Sequence, residues 1–333
     1  MPFRKLFFQT FCAIIFILLI VAAFVWRVDP YQHYRADDVY IGNQRLEIPG
    51  IARHHDYDAV VLGSSMCMNH YPQQIDSLFG WHTRNFTIMG ANSLDYAIAL
   101  PLIFAQHKAR HVIWGIDVFS FTKEEQLTEP YLYDENRWND IAYLLNYTSL
   151  KNGISKLLHP LPMDNLYHFN SPVNKEALMK AYVKGQKEYF SGEKYDYDTM
   201  CKLFDNSVNY PPQYLGVNEI CIYFPPYSIG EFLLLDDYGF FDTYISFKKY
   251  VISQFLKLKN VRIYDFQVAD WVTNLDEYMD LRHHSHQYNR RIIECIKNDE
   301  YRLPANYSDQ IDEFVRMVKE YDRTLLTGDV KTM

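Results

Sequence analysis

The stretch Asp58-Ala-Val-Val-Leu-Gly-Ser-Ser-Met66 decides how this chain reads. Four apolar residues, Ala59 to Leu62, run without polar interruption, as in a parallel strand buried on both faces. Gly63 ends the run, and two serines follow where a strand turns towards a helix. A small residue there permits a sharp turn. It leaves a hydroxyl at the carboxyl end of the sheet, where open α/β folds place their ligands. Taken alone, Gly-Ser-Ser is common turn chemistry.

Working outward, four more runs read as strands: His82–Thr87, His111–Asp117, Asn218–Phe224 and Val261–Phe266. Helical stretches alternate with them. Tyr71-Pro72 opens one that runs to Phe79, with Gly80 as its stop. Another runs from Leu94 to about Ala109, kinked or broken at Pro101. Others cover Asp242–Lys257 and Gln310–Tyr321, the last with Ile311, Phe314, Val315 and Val318 on one face. Such alternation predicts βαβ units, hence a three-layer α/β/α sandwich around a five-stranded parallel sheet. Residues 120–215 read as a mostly helical insertion after the third strand, with helical periodicity over Trp138–Leu158 and Asn174–Tyr189. The expected organisation is a sheet domain over 56–119 and 216–322, interrupted by that insertion. It is preceded by a polar lead-in (28–55) and followed by a tail (323–333).

The N-terminus (1–27) carries Arg4 and Lys5, then an apolar run from Phe11 to Trp26 that extends back to Leu6. About 20 residues span a bilayer. Basic residues before the run predict a cytoplasmic N-terminus and an extracytoplasmic body. A cleaved signal peptide competes, with Val21-Ala22-Ala23 as its site. The length of the run, without Gly or Pro, favours an uncleaved single-pass anchor.

At 333 residues and 48% hydrophobic, the chain can bury a full core. A net charge of −8 with no basic stripe excludes nucleic acid as the expected partner. The 28 Tyr and 22 Phe suit either core packing or sugar stacking. Cys12, Cys67, Cys201, Cys221 and Cys295 make no CxxC pair and no zinc pattern. His54 and His55 read as polar loop residues rather than metal ligands. Cys67, two residues past Ser65, reads as packing rather than as a nucleophile. Asp117 either orients a group at the sheet edge or caps the next turn.

The chemistry lies beyond the fifth strand, in Tyr278-Met-Asp280-Leu-Arg-His283-His284-Ser-His286-Gln-Tyr-Asn289. An Asp three residues before a His reaches the imidazole Nδ1–H. It fixes the tautomer and leaves Nε2 as a base for a serine hydroxyl. Ser65, Asp280 and His283 would then form a triad, with Ser65 activated by that base. A zinc site built from Asp280, His283, His284 and His286 competes, but adjacent His283 and His284 would point apart.

Gly63-Ser64-Ser65, Asn85-Phe-Thr-Ile-Met-Gly90 and Asp280-Leu-Arg-His283 resemble blocks I, II and V of the SGNH (GDSL) hydrolase superfamily. The resemblance covers roughly residues 56–117 and 217–297. With the anchor and the insertion, the chain is most similar to membrane-anchored envelope acyl-transfer proteins, such as those of teichoic-acid D-alanylation and alginate O-acetylation. That resemblance implies Ser65 as nucleophile, His283 as base and Asp280 as its orienter. It implies an oxyanion hole from the Ser65 N–H, Gly90 and a block III Asn. The third strand, Trp114-Gly-Ile-Asp117, carries no such Asn, and Asn92 is the candidate substitute. Acyl (O-acetyl) transfer to a cell-envelope polysaccharide, without metal or cofactor, is the function implied, together with a multi-pass membrane partner that supplies acyl groups. An esterase using the same triad, or a non-catalytic glycan-binding scaffold, are the alternatives.

Overall fold

The computed structural model describes residues 2–105, 109–125, 129–162, 172–185, 195–208 and 216–327. The chain divides into two compact units, Met1–His55 with Leu127–Tyr167, and Asp56–Gln126 with His168–Met333. The stretch 120–215 is therefore shared between both units.

In the second unit, five parallel strands form one sheet: β1 (Ala59–Leu62), β2 (Thr83–Asn85), β3 (His111–Gly115), β4 (Glu219–Phe224) and β5 (Val261–Asp265). Their order is β2-β1-β3-β4-β5. The register pairs Val61 with Asn85 and Ile113, Gly115 with Tyr223, and Phe224 with Asp265. All four residues of β1 are buried, so the uninterrupted apolar run is a central strand covered on both faces. The chain crosses from β1 to β2 on one side and to β3 on the other. That reversal opens a crevice at the carboxyl end of β1, where this class of sheet holds ligands.

The expected elements shorten at their ends. The helix after Asn92 spans Ser93–Ile103 with Pro101 inside it, so it stops six residues before the expected Ala109. Pro72–Phe79 ends at Gly80 in the left-handed conformation (φ 73°), as a C-terminal glycine should. Two described helices of the insertion, Lys175–Gly185 and Tyr197–Ser207, belong to this unit. Phe204 of the second packs edge-on against Phe121 and Phe247, 5.4 and 6.2 Å between ring centres. Much of the aromatic content is thus core; Tyr223, Tyr227, Tyr244, Tyr264 and Tyr278 are all buried.

In the first unit, one helix runs unbroken from Pro2 to Val28 and is long and apolar enough for a membrane anchor or a signal sequence. Its last turns do not stand alone. Val25 shares a small core with Tyr31, Leu46, Leu132 and Tyr143, with Val21 and Phe24 packed against it. The buried Asp29 carboxylate organises the exit from the helix. It accepts the Tyr143 hydroxyl (2.8 Å) and the backbone N–H groups of His33, Tyr34 and Arg35. The polar lead-in holds a helix, Gln44–His54, with Pro49 inside. Gly50 permits it: a Cβ there would meet the Tyr31 carbonyl oxygen at 2.3 Å. His54 and His55 donate or accept within this unit, at the His33 carbonyl and the Gln32 side chain.

Candidate active site

Gly63, the residue after β1, takes φ 140°, and a Cβ there would lie 2.3 Å from the Cys67 sulfur and 2.9 Å from the Gly115 carbonyl. Only glycine fits both the angle and the space. The chain then turns into a short 3₁₀ segment, Ser65–Cys67, whose N-cap is Ser64: its hydroxyl accepts the Met66 N–H at 3.2 Å. This turn aims Ser65 out of the sheet edge and Cys67 inwards.

Ser65 Oγ lies 2.8 Å from His283 Nε2, and His283 Nδ1 lies 2.7 Å from Asp280 Oδ2. A carboxylate only accepts, so Nδ1 carries the proton and Nε2 is left to accept the serine hydroxyl's. Asp280 Oδ1 is occupied separately, accepting the Arg282 and His283 N–H groups at 2.8 Å each. Burial pushes the Asp280 carboxyl up, but the His283 hydrogen bond and charge, with those two amides, outweigh it and hold it below the usual range. The structure thus brings together Ser65, His283 and Asp280 from segments more than two hundred residues apart.

The clamp that holds the base is the Pro225–Ser228 turn after β4. The Tyr278 hydroxyl donates to the Pro226 carbonyl (3.0 Å), and the Ser228 N–H and hydroxyl both donate to the Leu281 carbonyl (3.1 and 2.7 Å). Arg282 bonds the buried Glu231 carboxylate at 2.6 Å while its guanidinium lies 4.6 Å from the Phe119 ring centre. On the other side, Asn289, in the helix after the histidines, donates to the Met66 carbonyl at 2.8 Å and ties the base's segment to the nucleophile's turn. Sequence reasoning missed Tyr227, Ser228 and Asn289 as site supports, since their partners are set by tertiary folding and not by spacing.

Asp117 orients groups beneath the site. It is fully buried and accepts the Tyr227 hydroxyl at 2.6 Å. Burial drives its carboxyl up; hydrogen bonds from Ser64 and Tyr227, then the His283 and Arg282 charges, offset this only in part. Cys67 lies buried 3.0 Å from the Tyr223 hydroxyl, which also meets His70 Nε2 at 2.6 Å. Burial pushes its thiol up, so it packs between Gly63 and Gly115 as a neutral group.

The block II segment is fastened to the same turn. Ile88 N–H donates to the Gly63 carbonyl (3.0 Å), and Asn85 donates to the Met68 and His70 carbonyls (3.2 Å each). Gly90 follows in the left-handed conformation, exposed, with open space where a Cβ would stand. Asn92 is differently employed. Its side chain caps the helix Ser93–Ile103, accepting the Leu94 N–H at 2.9 Å and donating to the Glu125 carbonyl at 3.1 Å. Those bonds compete with any use of its amide as an oxyanion donor.

His284 turns away from His283 into the interior. Burial lowers its imidazole to about 4, and burial and the neighbouring His284 lower His70 to about 3, so both are neutral bases. Among the described residues, no three His, Cys, Asp or Glu side chains gather as a metal cluster. The five cysteines are unpaired. No family model and no curated protein matches the chain.

Proposed function

We propose that this chain is an SGNH-type serine acyltransferase, with its sheet unit as a three-layer α/β/α sandwich, acting on a cell-envelope polysaccharide. The observation that carries the reading is the continuous relay Ser65–His283–Asp280 at 2.8 and 2.7 Å. Ser65 Oγ attacks the acyl carbonyl as its proton passes to His283 Nε2. The imidazolium, stabilised by Asp280, returns that proton to the leaving alcohol, and acyl-Ser65 remains. A sugar hydroxyl then loses its proton to His283 and attacks the ester, releasing the acylated sugar and restoring Ser65. The Ser65 and Gly90 N–H groups are the oxyanion donors in this scheme, with Asn92 retained as a helix cap. The long N-terminal helix, behind Arg4 and Lys5, supports a single-pass anchor with an extracytoplasmic body. A multi-pass membrane protein would deliver the acyl group. Water in place of the sugar makes the same site an esterase.

The test uses the full chain in detergent with a fluorophosphonate probe, p-nitrophenyl acetate and intact-mass analysis, with and without an oligosaccharide acceptor. One adduct, lost in Ser65→Ala and weakened in His283→Ala, supports the triad. Acyl groups appearing on the sugar rather than as free acid separate transfer from hydrolysis. Equal labelling of wild type and Ser65→Ala sinks the reading.

A further inference from the structure

We infer that residues 137–158 form a second membrane contact, a foot that sits beside the anchor in the same leaflet. This rests on reading the N-terminal helix as an anchor. Trp138 is 92% exposed, Ile141 63%, and Leu157 and Leu158 62% and 67%. Trp138 lies in a 3₁₀ turn, Arg137–Asp140, and the others on short helices, Ile141–Leu144 and Tyr147–Leu158, that pack on the last half of the anchor helix; a Cβ on Gly153 would lie 3.1 Å from the Phe24 ring.

An open apolar groove runs between them, walled by Ile15, Leu18 and Ala22 of the anchor and by Trp138, Ile141 and Leu145. At 1.5 Å per residue, Ala22 and Ile15 lie about 6 and about 16 Å before Trp26 along the helix. A hydrocarbon core is about 30 Å thick, so the groove spans the leaflet at the Trp26 end. Two charged groups of this segment, Asp140 and Lys156, are turned inwards, while Arg137, Thr148, Lys151 and Ser155 are exposed. Asp140 bonds His33 at 2.8 Å, and Lys156 bonds the Asp29 carbonyl and the Asp37 carboxylate at 3.1 and 3.0 Å. The exposed apolar side chains, Trp138, Ile141, Ile154, Leu157 and Leu158, are continuous with the anchor's own, and the exposed Arg137 and Lys151 beside them are long enough to reach the headgroups. The occupant that fits is the acyl chains of that leaflet.

The experiment reconstitutes the full chain in phosphatidylcholine vesicles brominated on the acyl chains and compares wild type, Trp26→Phe, Trp138→Phe and the double variant. Expected is a bromolipid-quenched fluorescence component that survives in Trp26→Phe and is lost in the double variant. If that component disappears with Trp26 alone and aqueous iodide quenches Trp138, the foot is overturned while the anchor stands. Shielding of Trp138 from both quenchers overturns it in favour of a protein-covered face. No bromolipid quenching in wild type removes the anchor reading, and the foot with it.

Discussion

Replacing Asp280 by Asn separates the orienting role of this carboxylate from its charge. Its Oδ1 is held by two backbone N–H groups, of Arg282 and His283, at 2.8 Å each. The amide oxygen of an Asn must stay on those donors, which forces its NH₂ onto His283 Nδ1. A donor there makes Nδ1 the acceptor and moves the ring proton to Nε2, so the imidazole donates to Ser65 and no longer takes its proton. The Asp280 side chain is 47% exposed, so water screens the charge term and little of the loss should come from it. The tautomer term is geometric and is not screened. The expected fall in acylation rate is about 10³–10⁴-fold, or about 4–5 kcal/mol of barrier. Fluorophosphonate labelling rates measure it, with circular dichroism confirming a folded variant. A variant within tenfold of wild type refutes the argument that Oδ1 fixes the side chain's orientation.

Two further outcomes follow from the turn and its surroundings. Gly63→Ala should cost at least about 3 kcal/mol, from overpacking and a backbone angle closed to alanine. Gly90→Ala should cost only about 1 kcal/mol, from its left-handed angle in open space; equal urea midpoints for the two would contradict the crowding described at Gly63. His70 and His284 are neutral when folded and protonate below their ordinary 6.5 when unfolded, so the unfolded chain binds more protons in that window. Stability should be complete above pH 6.5 and fall as pH drops towards 4, by about 2–3 kcal/mol per histidine at pH 4.5. His284→Gln should flatten the profile of urea midpoint against pH, and an unchanged slope counts against its burial as the cause.

The strands were legible because their chemistry is local: an uninterrupted apolar run such as Ala59–Leu62 has few alternatives. The meeting of Ser65, His283 and Asp280 was legible because Asp280 and His283 lie three residues apart and a serine after a strand is the natural partner for the free imidazole nitrogen. The helix Ile229–Asp237 was not, since Phe232 to Leu235 are all buried and show no polar face to mark a period. Gln44–His54 was hidden by Pro49 and Gly50, which signal a loop until close packing against residues 31 and 32 explains them. The Asp117–Tyr227 bond joins residues 110 apart, and no spacing rule reaches that far.

Ser65 and its hydrogen-bond partner His283 are separated by 218 residues, and the tie that completes the turn comes later still, from Asn289. During synthesis Ser65 emerges first and stays without His283 and Asp280 until most of the polypeptide has left the ribosome. A chain interrupted anywhere before Asp280 carries a serine no more reactive than any on its surface. On the proposed function, reactivity therefore belongs only to finished molecules, and an unfinished one has nothing with which to acylate its neighbours.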